Sequence, residues 1–83
     1  MAVRAIHHGD YQPIPDILRN MRENAGLTQR DLADLLRVAQ QSIHSSETHS
    51  RRIDLGEYCR WAEACGVESH DALDIYLKAR PKA

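Results

Sequence analysis

Eighty-three residues hold one domain on one modest hydrophobic core, which leaves no room for an added sensor domain and makes dimerisation helpful. With no Phe, one Trp and three Tyr, the apolar material is mostly aliphatic; Gly and Pro are few, which favours helices over a turn-rich β fold. The net charge of −1 excludes a uniformly basic nucleic-acid binder, so any such partner must be met by one face only.

Residues 1–14 show no helical period, contain Gly9 and Pro13, and are expected to form an N-terminal arm. The first six residues, broken by Arg4, are too short for a signal peptide, and no apolar run approaches a membrane span. The expectation is a soluble, cytoplasmic protein with no membrane partner. Pro15 suits the first turn of a helix, where its missing N–H has no intrahelical acceptor to lose. From there Ile17, Leu18, Met21 and Ala25 recur at helical spacing, and Gly26 supplies the stop.

Thr28 is a natural cap for a second helix, with Asp31 as the acidic partner of a capping box. Leu32, Ala33, Leu35 and Leu36 form its expected buried stripe. That helix stops near Arg37, because a third begins at Ala39 or Gln40, carries Ile43 and Ser46 inward and ends over 47–49. Asp54 and Glu57 make a second capping box, opening a fourth helix through Tyr58, Trp61, Ala62 and Cys65 to Gly66. A fifth helix starts at Ser69 and carries Leu73, Tyr76 and Leu77 before Pro81. The fold class is therefore all-α, with five short helices over 15–79 and a tail over 80–83.

Charge is unevenly distributed along these elements. Between residues 35 and 52 three arginines (Arg37, Arg51 and Arg52) face one carboxylate, Glu47. Between 53 and 77 only Arg60 opposes Asp54, Glu57, Glu63, Glu68, Asp71 and Asp74. A basic middle suits contact with phosphate, and the acidic helices behind it suit a protein partner; ordinary solvated surface is the plain alternative. Cys59 and Cys65 lie roughly 120° apart around one helix, which prevents a disulfide between them and makes both reduced apolar fillers. Trp61, Tyr58 and Tyr76 are expected in the core or a dimer interface rather than stacked on bases.

The second and third helices carry the information. Two helices of about eight residues joined by about three cannot lie antiparallel over a useful interface, so they cross steeply as a helix-turn-helix. The second of the pair then projects its first turn, Gln40, Gln41 and Ser42, outward.

The segment MRENAGLTQRDLADLLRVAQQSIHSSE, with YCRWAEACGV after it, resembles the Cro/repressor (Xre-type) family of helix-turn-helix regulators. Within that family QQSI is similar to the recognition helix of the 434 phage repressor. The resemblance spans about residues 17–77 and implies a five-helix, lambda-repressor-like DNA-binding domain that meets double-stranded DNA as a homodimer. It puts Gln40 where adenine is read, and the side-by-side donor and acceptor of a carboxamide match N6 and N7 of that base. Gln41 falls at a second base-reading position, with His44 and Ser45 facing a similar surface. Gln29, at the start of the second helix, matches a phosphate clamp that also buttresses Gln40. Arg37, Ser42, Arg51 and Arg52 complete the implied phosphate contacts, which position the protein without reading sequence. Arg22 and Glu47 are implied to form a partly buried ion pair between the first and third helices.

Three positions depart from the family pattern. Arg37 stands where relatives usually carry Gly, Ala39 replaces a Ser or Thr cap, and His49 sits where Gly normally ends the recognition helix. Neither the five histidines, among them the neighbours His7 and His8, nor any other set combines into metal ligands. Without a nucleophile–base pair, paired carboxylates or a Gly-rich phosphate loop, no enzymatic activity and no cofactor are expected. The expected function is a sequence-specific transcriptional regulator, a repressor on a palindromic operator. The alternative is an antitoxin or other protein-interaction module on the same fold, gripping a partner through its acidic C-terminal helices.

Overall fold

The computed structural model describes residues 9–81, and the elements within them are α1 (Ile14–Asn24), α2 (Gln29–Leu36), α3 (Gln40–Glu47), α4 (Leu55–Ala64) and α5 (Ser69–Ala79). No strand occurs among the described residues. Both capping boxes form. Asp31 N–H donates to Thr28 Oγ1 (3.0 Å) and Thr28 N–H to the Asp31 carboxylate (3.0 Å). Glu57 N–H donates to Asp54 Oδ1 (2.7 Å) and Asp54 N–H to Glu57 Oε1 (3.0 Å). Each reciprocal pair satisfies two main-chain donors that the helix start would otherwise leave open.

The ends of α1 to α4 share one device. After α1, Gly26 at φ +75° lets its N–H reach Glu23 O (2.9 Å) while Leu27 N–H reaches Arg22 O (3.2 Å). Gly66, at φ +78°, ends α4 in the same way, with Val67 N–H on Ala62 O (2.9 Å). After α2 the residue in that place is Arg37, at φ 58°, and Val38 N–H donates to Ala33 O (3.0 Å). His49 adopts φ 64° after α3, with Ser50 N–H on Ser45 O (3.1 Å). These are closures of the Schellman type, and at two of the four a residue with a Cβ accepts the left-handed backbone that glycine takes without strain.

The core lies between α1, α2 and α4, with α3 and α5 packed at its two sides. Leu18, Leu32 and Ile43 are fully buried, and Trp61 joins them with its Nε1–H donating to Leu18 O (3.0 Å). Tyr58 is buried too, its hydroxyl donating to Ala72 O at 2.6 Å. Burial and the neighbouring Cys59 push its phenol up to about 12. Cys65 is also a core residue, and burial pushes its thiol up to about 11.

Three sequence expectations change here. Residues 9–14 belong to the expected arm, but 9–13 form a turn packed on the domain, and α1 opens at Ile14. Tyr11 is buried in that turn, where its hydroxyl accepts from Ile53 N–H (2.9 Å) and donates to Arg51 O (3.4 Å). Leu35 was expected in the buried stripe of α2 and is instead 57% exposed, Leu36 being half-buried. On α5 only Ala72 is fully inside; Tyr76 is half-buried with its hydroxyl on Asp10 O (2.8 Å), and Leu73 and Leu77 are exposed.

Candidate nucleic-acid interface

Arg37, Val38 and Ala39 alone join α2 to α3, and the left-handed Arg37 turns the chain sharply between them. Ala39 offers α3 no side-chain cap, as its side chain dictates. The inward face of α3 is Ile43 with Ser46 and Glu47 one helical turn further on, all three buried. Gln40, Gln41 and His44 are exposed, with Ser42 and Ser45 half-buried beside them. Gln41 lies along the helix, its Nε2 donating to Ser45 Oγ at 3.4 Å. The expected base-reading set thus shares one outward surface.

The back of α3 is held by one carboxylate. Glu47, its side chain 2% exposed, accepts from Arg22 Nε (2.7 Å) and Nη2 (3.0 Å) in a bidentate pair. Gln29 Nε2 donates to the same carboxylate at 3.1 Å, and Arg22 Nη1 donates to Leu27 O at 2.9 Å. α1, the start of α2 and the end of α3 therefore meet at Glu47. The hydrogen bonds that Arg22 donates to Glu47 raise the guanidinium above its ordinary value. Gln29 consequently buttresses Glu47 and not Gln40; its place at the first turn of α2 is as expected.

The arginines divide. Arg37 is exposed in the turn. Arg51, expected on phosphate, is turned inward: Nη1 donates to Ser46 Oγ (3.2 Å) and Nη2 pairs with Glu57. Its charge is met by that carboxylate, and it braces α3 against α4. Arg52 is exposed, with Cζ 5.3 Å from the centre of the Tyr11 ring, a cation–π distance. The residue that sequence reasoning missed is Tyr11. Its only signal was an aromatic ring in a leader without helical period, and its hydrogen-bond partners lie in the loop before α4. The neighbouring His7 and His8 lie outside the described residues. No group of three or more His, Cys, Asp or Glu side chains is placed to hold a metal among the described residues.

Glu57 makes this bracing sensitive to acid. Burial pushes its carboxyl up, but the Arg51 hydrogen bond and charge, with the Asp54 N–H, outweigh burial and leave it below the ordinary 4.5. Asp31 is lowered in the same sense by Thr28. A depressed folded value means stability that is fully present above the unfolded value and lost as pH falls through the folded one. Urea midpoints are expected to decline as pH drops below about 4.5, and Glu57→Gln to flatten part of that decline. An unchanged acid limb in Glu57→Gln would remove the carboxylate from this role.

Two short helices across a tight turn, the second clamped from behind with its polar face outward, define a helix-turn-helix protein, the class of DNA-binding regulators. Residues 16–74 match the family model for a helix-turn-helix domain, and the chain belongs to that family, as a protein of the Xre type. It is similar in structure to an XRE-family like protein from Pseudomonas syringae pv. tomato str. DC3000, with 29% identity and a TM-score of 0.80 over 94% of this chain and 95% of that one. Among curated proteins no sequence matches significantly. No helix among the described residues is long and apolar enough to cross a membrane.

Proposed function

We propose that the protein is a sequence-specific transcriptional repressor that binds a palindromic operator as a homodimer, each copy laying α3 into the major groove. The observation that carries this reading is the outward set Gln40, Gln41 and His44 on a helix whose opposite face is locked through Glu47 to Arg22 and Gln29. A carboxamide held on a rigid helix can present its donor and acceptor to one adenine edge at small ordering cost. Gln40 is assigned to adenine, and Gln41, His44 and Ser45 to neighbouring base edges. The α2 start at Gln29, Ser42 and Arg37 supply the phosphate contacts. Two such helices must sit about one turn of DNA apart, roughly 34–36 Å, to read both half-sites.

Selection of bound duplexes from a random pool is expected to return a two-fold symmetric consensus. On that site Gln40→Ala is expected to cost about 1–3 kcal/mol while leaving non-specific binding intact. Arg37→Gly removes a charge at a position whose backbone already suits glycine, so the fold is kept. It is expected to weaken all duplexes alike and to reduce the salt slope by about 1. If both variants bind every duplex as the parent does, α3 is not the reading element.

A further inference from the structure

We propose that Tyr11 is a positioning residue for DNA contact: it fixes the loop between α3 and α4 so that the Arg52 guanidinium is held out for a backbone phosphate. This deepens the DNA-binding reading above and rests on it.

Arg52 is the cation of that loop whose charge is left over. Its neighbours on either side turn inward: Arg51 donates to Ser46 and pairs with Glu57, and Ile53 packs against the core. Arg52, between them, is exposed and forms no ion pair among the described residues. A helix lying in the major groove has a phosphate backbone along each flank, and the loop that leaves its end is carried toward one of them. A guanidinium there has the charge and the planar fork of donors that a phosphate takes.

Tyr11 grips this residue through both of its peptide units and its side chain. The Tyr11 hydroxyl accepts from Ile53 N–H (2.9 Å) and donates to Arg51 O (3.4 Å). Those two groups belong to the planar peptide units on either side of the Arg52 Cα, so one hydroxyl restrains both backbone torsions of Arg52. The Tyr11 ring lies under the side chain, its centre 5.3 Å from Cζ. Stacking occupies a face of the guanidinium and leaves the N–H groups at its edge free to donate. Burial raises the Tyr11 phenol above its ordinary 10, so the hydroxyl keeps the proton it gives to Arg51 O.

The turn that carries Tyr11 is itself held. Ile14 N–H donates to Tyr11 O (3.0 Å), the Tyr76 hydroxyl to Asp10 O (2.8 Å) and Arg80 Nε to Asp10 Oδ1 (3.1 Å). An arginine on a free loop gives up backbone and rotamer freedom when it meets a phosphate. On Tyr11 much of that loss is incurred in folding instead, which leaves less to offset on binding.

Duplex binding by the full chain across a range of salt tests this, with Tyr11→Phe, Tyr11→Leu, Arg52→Ala and the two double variants. Tyr11→Phe keeps the ring under Arg52 and removes both hydrogen bonds; Tyr11→Leu removes the ring as well. Circular dichroism at the binding temperature verifies that each is folded. Arg52→Ala is expected to weaken all duplexes alike and to flatten the salt slope by about 1, so that the loss of affinity between 50 and 200 mM salt is about 3- to 4-fold smaller. Tyr11→Leu is expected to reproduce most of that change and Tyr11→Phe part of it. In the Arg52→Ala background neither is expected to alter affinity or slope further. A general loss of stability would leave the slope alone and would not depend on Arg52. Tyr11 variants that bind with parental affinity and slope overturn the assignment, as do variants whose losses are the same with and without the Arg52 side chain. An Arg52→Ala variant with the parental slope overturns it too. Gln40→Ala separates the two readings. If it loses sequence preference while the Tyr11 variants bind as the parent does, only the Tyr11 assignment falls; a parent that binds no duplex removes both.

Discussion

Replacing Arg22 with methionine is expected to destabilise the protein by about 3–5 kcal/mol, because it leaves the Glu47 carboxylate buried with only the Gln29 amide beside it. For a domain of this size total stability is on the order of 5–10 kcal/mol, so the melting temperature should fall by on the order of 15 °C. The loss measures the penalty of an unpaired buried charge rather than the worth of the ion pair. Accordingly Arg22→Met combined with Glu47→Leu is expected to recover most of it, since two packed apolar side chains replace two desolvated charges. Urea titration of the single and double variants checks both statements. A single variant within about 0.5 kcal/mol of the parent would mean that Glu47 finds water or another donor.

Leu18→Ala is the second large loss expected, about 2–5 kcal/mol. Leu18 is fully buried at the middle of α1, and its carbonyl receives the Trp61 indole N–H. Truncation removes the transfer free energy of the lost methyl groups and opens a cavity that α4 cannot fill without pulling Trp61 off its hydrogen bond. Leu35→Ala, at 57% exposure, is the matched control and should stay within about 0.5 kcal/mol. Equal losses at the two positions would contradict the described core.

The parts of the fold that local chemistry dictates were legible in the sequence. Thr28 with Asp31 and Asp54 with Glu57 announced two helix starts, and Gly26 and Gly66 two ends, because each device is confined to a few consecutive residues. The three unusual positions were visible for the same reason, and Arg37 and His49 do take the left-handed backbone that their places demand. The Arg22–Glu47 pair entered only through family resemblance, since nothing local joins residues 25 apart.

What escaped was set by tertiary contact. Leu35 and Leu36 are equally apolar, and periodicity over one short helix does not decide which of two neighbours faces in. The family resemblance made Arg51 a phosphate contact, but Glu57, six residues further along the chain, claims its guanidinium. Tyr11 lay in a segment with no helical period, so no pattern could show that its hydroxyl orders the loop before α4. Of the outward face of α3, the sequence indicated the residue types, and the Glu47 cluster explains why those residues and not their neighbours point away.

That cluster also constrains what insertions the turn can accept. One extra residue among 37–39 would turn the side chains of α3 by about 100° around its axis if the helix kept its place. Either α3 then moves and the clasp on α1 and α2 lets go, or Ser42 and Ser45 take the inward places of Ile43 and Ser46 and Ile43 swings toward water. The angular phase of α3 is therefore tied to the length of a three-residue connection, and homologous chains that keep the carboxylate clasp should keep that spacing whatever side chains fill it.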